Sequence, residues 1–106
     1  MGRAAPFGYA ANIHACDDYA LHHSTQNGHL PVVKYLVESG VDIHADNNYA
    51  LRHSAGNGHL DVVKYLVESG ANINADNDAA LRWSATNGHL DVQEFLKKQM
   101  SLEKLI

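Results

Sequence analysis

The stretch Gly58-His59-Leu60-Asp61-Val62-Val63-Lys64-Tyr65-Leu66-Val67-Glu68-Ser69-Gly70 decides how this chain is read, because it is written more than once. The same run stands at Gly28–Gly40, with Pro31 in place of Asp61. A third copy opens at Gly88 and diverges after Val92. Units 17–46, 47–76 and 77–106 follow one another at a period of 30 residues, and the first two agree at 21 of 30 positions. A fixed period of this size implies stacked supersecondary units, each burying its apolar face against the next.

The repeated run itself predicts a helix from about Leu60 to Glu68. Leu60, Val63 and Val67 fall on one side, with Val62 and Leu66 beside them, while Asp61, Lys64 and Glu68 form a polar stripe. So wide an apolar arc implies contact with several neighbours. Pro31 is compatible with the equivalent helix because it falls in the first turn. Lys34/Glu38 and Lys64/Glu68 are i,i+4 pairs worth a few tenths of a kcal/mol.

Working outward, Leu51, Ser54 and Ala55 lie at i, i+3, i+4 and predict a short helix ahead of the run. Asn48, and Asp18 and Asp78 in the other units, are placed to cap it through their side-chain oxygens. Gly58 ends it as a left-handed residue. Asn57-Gly58 would suit a β-hairpin turn, but helical periodicity on both sides decides for the helical reading. After Gly70 the segment Ala71–Ala75 is extended and leads to the next unit. Upstream, Ala11-Asn12-Ile13-His14-Ala15 echoes Val41–Ala45 and Ala71–Ala75, so residues 11–16 read as the remnant of a preceding unit, either lost or belonging to a longer array. The third unit changes character at Gln93: Gln93, Glu94, Lys97, Lys98 and Gln99 make the outer face polar, as the end of a solenoid requires. With Met100 where a glycine would stop it, this helix is expected to run on, and 77–106 reads as a C-terminal cap.

Helix, Gly-His, helix, Gly-Ala/Val and Asn/Asp-Ile resemble the ankyrin repeat. The match is carried by Leu51, Ala55, Gly58-His59, Val62-Val63, Leu66-Val67 and Gly70–Ala75, and it covers residues 11–99. Two features depart from the family. Its unit is about 33 residues, whereas this one is 30, the shortfall lying between Ala75 and Ala80. The Thr-Pro-Leu-His opening is replaced by Tyr19-Ala20-Leu21-His22, Tyr49-Ala50-Leu51-Arg52 and Ala79-Ala80-Leu81-Arg82. The hairpin fingers should therefore be stubby. This short, Asn- and Tyr-rich variety resembles arrays common in large DNA viruses. The resemblance implies an all-α solenoid of helix pairs with short connectors, acting as a non-catalytic protein-interaction module whose first helices line a concave surface. It also implies a structural role for Gly28, His29, Gly58, His59, Gly88 and His89, the histidines bonding between loops.

On the first helices, residues that point away from Leu51 stack into ladders from unit to unit. One is Tyr19, Tyr49 and Ala79; the next is His23, His53 and Trp83; the third is Gln26, Gly56 and Thr86, beside Asn27, Asn57 and Asn87. Tyr and Trp are common anchors of protein interfaces, so Tyr19, His23, Gln26, Tyr49, His53, Trp83 and Thr86 are the candidate partner-binding residues. The competing reading is that the first two ladders only fill space between units. The joint exchange of Tyr for Ala and His for Trp in the third unit, which conserves volume, favours it. The asparagine row sits at a helix end and reads as capping.

Other chemistries find less support. Eight histidines invite a metal- or pH-responsive module, but His29, His59 and His89 sit on helices about 8–10 Å apart. Zinc requires nitrogens about 2.0–2.1 Å from one ion. There is no Gly-rich phosphate loop and no paired-carboxylate or Cys–His pattern, so neither an enzyme nor a cofactor is expected. A net charge of −4 speaks against a nucleic-acid partner. No apolar run reaches the ~18 residues of a membrane helix. The N-terminus has no signal-peptide core and Cys16 is the only cysteine, which suits a reducing intracellular compartment. The chain is expected to be a monomer or part of a longer array. A purely structural segment of such an array, with binding elsewhere, is the alternative function.

Overall fold

The computed structural model describes the backbone of residues 9–104 and the side chains of 18–102. Six helices follow in order: α1 (Tyr9–Gln26), α2 (Leu30–Glu38), α3 (Ala45–Gly56), α4 (Leu60–Glu68), α5 (Ala75–Thr86) and α6 (Leu90–Lys104). No strand occurs among the described residues. The helices form antiparallel pairs α1–α2, α3–α4 and α5–α6. The first helices stack α1 on α3 on α5, and the second helices α2 on α4 on α6. The radius of gyration is 15.0 Å, above the ~13 Å of a compact chain of this length, as an elongated stack demands.

The core is the repeat seen edge-on. Leu21 and Leu51 from the first helices, Val62 and Val92, Leu66 and Leu96 from the second, and Ile43 and Ile73 from the connectors are buried at equivalent positions. Each such side chain contributes about 1.5–3 kcal/mol of burial. Asp61, Lys64 and Glu68 are exposed as the wheel requires. The turn inside each pair is set by backbone chemistry. Gly58, at φ +80°, lets its own N–H reach the Ala55 carbonyl (3.1 Å) and the His59 N–H reach that of Ser54 (3.0 Å). These are the two bonds of a Schellman close, and the left-handed φ is why glycine stands there.

The starts of the first helices differ from the capping expected of them. Asp46, Asn47 and Asn48, and Asp76, Asn77 and Asp78, all have left-handed φ between +54° and +62°. Asn and Asp tolerate this conformation better than other side chains. Three such residues in succession form a tight left-handed turn at the place where the unit is shorter than its family. Neither Asn48 nor Asp78 caps its own helix. The Asn48 Oδ1 instead accepts the Asn72 N–H at 3.0 Å, tying α3 to the connector that leads to α5. Arg52 closes the turn by donating from Nε to the Asn47 carbonyl and from Nη2 to the Asp46 carbonyl, both at 2.9 Å. Arg82 repeats this on Asn77 and Asp76.

The first unit lacks that turn. Residues 11–15, which echo the later connectors, are helical within α1, and Asp18 lies inside that helix rather than at its cap. Both later connectors are anchored by a bond back to a preceding second helix, Val41 N–H to the Leu36 carbonyl and Ala71 N–H to that of Leu66. Among the described residues no second helix precedes α1 to supply such an anchor. At the other end α6 runs 15 residues, past the position where α4 stops.

Candidate functional site

The first helices carry a continuous aromatic row. His22 stacks on Tyr49 with centroids 4.0 Å apart, Tyr49 on His53 at 3.8 Å, and His53 meets Trp83 edge-on at 5.2 Å. Tyr19 stacks on His23 at 5.8 Å. These geometries are those in which aromatic pairs attract beyond the area they bury. His22 is a member the sequence ladders missed, since its neighbour His23 was the residue placed opposite Leu51. The signal available was only the His22-His23 pair itself; which ring crosses to the next unit depends on helix rotation.

The row is not uniform in exposure. Tyr19 is 69% exposed, and His23, Gln26 and Thr86 are also exposed. Tyr49, His53 and Trp83 are half-buried, and Ala79 is fully buried. His22 is largely enclosed: its Nε2 makes no hydrogen bond, and Asp46 Oδ2 is 3.6 Å away. His53 is held below the ordinary imidazole range by burial first, then by the nearby charges of Arg52 and His22.

A second row seals the junctions at the pair-closing turns. The His59 ring lies against Gly28, so close that a Cβ there would stand 2.6 Å from its Nδ1, and His89 lies against Gly58 in the same way at 2.5 Å. His59 Nε2 reaches the Gln26 carbonyl at 2.9 Å, necessarily as donor. Asn57 Nδ2 donates to the same carbonyl at 3.3 Å, and Asn87 Nδ2 to the Gly56 carbonyl at 2.8 Å. Carbonyls left over at the end of one first helix are thus satisfied by the next unit. Among the described residues nothing lies within 4 Å of the corresponding point over Gly88. His29 is exposed at the opposite end.

The third ladder differs between junctions. At the first, Gln26 Oε1 accepts the Tyr49 hydroxyl at 3.0 Å. At the second, Gly56 has no side chain to offer and Ala79 has no hydroxyl. Trp83 leans over Gly56, its Cβ and Cε3 each 3.4 Å from where a Cβ would be. A cleft of about 320 Å³ remains there, lined by His53, Gly56, Asn57, Trp83, Thr86 and Asn87. The Arg52 guanidinium sits 5.4 Å from the Trp83 ring centre and 3.9 Å from Asp76 Oδ2. Among the described residues no three or more metal-capable side chains converge, and no helix is long and apolar enough to cross a membrane.

Helix pairs joined by Schellman turns, stacked in register and interlocked Gly-on-His, define a helical-repeat solenoid. The chain matches the family described as ankyrin repeats, in three copies, over residues 6–77 and 21–104. It belongs to the ankyrin-repeat family, whose members generally serve as protein-interaction modules and typically carry no catalysis. A comparison with curated proteins finds no match.

Proposed function

We propose that this protein is a non-catalytic recognition module that docks a partner protein on the concave side formed by α1, α3 and α5. The observation that carries the reading is Tyr19: 69% exposed and stacked on His23, on the helix whose His22 begins a row through Tyr49 and His53 to Trp83. An exposed aromatic backed by a fixed row offers binding area with little to order on docking. Within the row the roles divide. Tyr49, stacked on His22 across the first junction, and His53, edge-on to Trp83 across the second, hold the units together. Tyr19, His23, Gln26, Thr86 and the open edge of Trp83 make the contacts. The Gly-His positions Gly28, His59, Gly58 and His89 stay structural, and an intracellular setting is the usual one for this family.

Affinity capture from a cell lysate tests this with Tyr19, His23 and Thr86 all changed to Ala. Captured partners should be lost while the chain keeps a cooperative melt lowered by no more than several degrees, since exposed substitutions are typically worth no more than about 0.5 kcal/mol each. Unchanged capture would make the chain a structural segment of a longer array, with its binding site elsewhere.

A further inference from the structure

Three large apolar side chains of the second helices are exposed only through their place in the stack. Val32 is 47% exposed, whereas its equivalents Val62 and Val92 are 0%. Tyr35 is 69% exposed, whereas Tyr65 and Phe95 are half-buried. Leu90 is 68% exposed, whereas Leu30 and Leu60 are half-buried. Val32 and Tyr35 are uncovered in the first unit, so their positions face the unit before. Leu90 is uncovered in the third, so its position faces the unit after. Ala85 behaves like Leu90: it is exposed, while Thr25 and Ala55 are buried.

The interlock has the same polarity. In both inner junctions a histidine of the later unit covers a glycine of the earlier one, His59 over Gly28 and His89 over Gly58. This leaves His29 exposed at one end and Gly88 open at the other, with nothing within 4 Å over it among the described residues. Adjoining residues of the chain do not lead straight into a covering unit. Helix α6 is still helical at Lys104, past the point where α2 and α4 give way to Gly40 and Gly70. Helix α1 is helical at 11–15, where the later units have a connector.

The two ends also match in charge. Lys34 and Glu38 recur as Lys64 and Glu68, but the third unit inverts them to Glu94 and Lys98, and all six are exposed. The first junction therefore carries like charges in each column. A copy set behind the third unit would instead bring its Lys34 into column with Glu94 and its Glu38 with Lys98, the complementary arrangement.

From these ends we propose that a second copy of this chain docks head to tail, placing its His29, Val32 and Tyr35 end on the Ala85, Gly88 and Leu90 end of the first. The interface would continue the one that joins units within the chain. It goes beyond the concave-side reading and does not depend on it. Such a contact is heterologous, since each copy uses one end and leaves the other, so it grows into open stacks and does not close as a dimer. It is also weaker than an inner junction. Gln93 and Lys97 stand where the earlier units have valines. Glu94 cannot make the cation–π contact that Lys34 makes with Tyr65, and Lys64 with Phe95, each at 5.8 Å. The stacks should therefore come apart on dilution.

Sedimentation of the full chain from micromolar to millimolar concentration tests this. The mean mass should rise continuously with concentration. Val32→Glu blocks one end and Leu90→Glu the other, each by placing a charge where an apolar side chain would be buried, and each should weaken self-association by at least about tenfold. Both positions are exposed, so both variants should keep a cooperative melt; should either lose it, serine at the same two positions replaces glutamate. Mixed together, the two variants should form a one-to-one pair, because each retains the end that the other lacks. A mass that stays at one chain throughout would overturn the proposal, and so would a plateau at two chains. Folded variants that fail to pair when mixed would overturn it as well. All of these variants leave Tyr19, His23 and Thr86 unchanged, so capture of a partner on the concave side is read separately.

Discussion

The junction between the first and second units and that between the second and third are built from the same interlocks, yet only the first carries a Gln26–Tyr49 bridge. In both, a histidine ring sits where a glycine leaves room, and an asparagine amide closes the carbonyl end of the preceding helix. In the first, Gln26 and Tyr49 bridge the remaining gap. In the second, Gly56 and Ala79 cannot bridge it and Trp83 only partly covers it. The difference teaches that in a repeat stack, stability and recognition are carried by different positions of the same unit. The faithful residues fix the interface, and the unfaithful ones decide whether it leaves an opening.

The strongest way to break the comparison is at the interlocking glycines. Gly58→Ala imposes a side chain on a left-handed residue and drives its Cβ to 2.5 Å from the His89 ring, so it should destabilise by about 2–3 kcal/mol. Gly88→Ala has the same left-handed φ, +78°, but open space, and should lose only about 1 kcal/mol. Urea unfolding of the two variants measures the gap; equal losses would show that the interlock contributes nothing. Next, Tyr49→Ala removes both stacking partners and the Gln26 bond of the first junction, and should lower stability by about 2 kcal/mol, less than a fully buried ring because Tyr49 is half-buried.

The asparagine closures should be weaker and nearly equal. Asn57→Ala and Asn87→Ala each leave a helix-end carbonyl short of a donor, at about 1 kcal/mol, read as a drop in melting temperature of a few degrees. A much larger effect at Asn87 would mean that the open junction depends on its closure more than the filled one. The smallest expected effect is pH. The folded chain holds His53 below its unfolded value near 6.5, so the unfolded chain binds the proton first. Stability is then full above that value and declines as pH falls below it, until the folded state also protonates. His53→Gln should flatten the decline as pH falls below about 6.5; an unaltered slope would place its origin in another group.

Much of the fold was legible in the chain. The 30-residue period, the apolar arc of Leu60–Glu68 and the Gly-His punctuation are local facts, and local chemistry is enough to give helices, their left-handed ends and the order of the stack. Part of the candidate site was legible too, since Tyr49, His53 and Trp83 do fall on one row. The cap assigned to Asn48 was not, because its side chain has two competing donors: the N–H groups of its own helix and that of Asn72, 24 residues away. Shortening the unit forces a left-handed turn at Asp46–Asn48, and the turn decides for Asn72. The remnant at 11–15 was legible as a pattern but is helical, for a connector needs the second helix of a preceding unit to hold it.

The sequence by itself determined the unit, its repetition and the two residue types, glycine and histidine, on which units lock. The tertiary structure alone decided that His22 rather than His23 stacks on Tyr49, that arginines clamp the turns, and that a cleft lies over Gly56 where its counterpart Gln26 bonds to Tyr49. The reason is range. Helices and their ends are fixed by bonds a few residues long. A junction is fixed by contacts such as Tyr49 to Gln26 and His59 to Gln26, 23 and 33 residues apart, and their outcome depends on how each helix is rotated about its axis when the units close on one another.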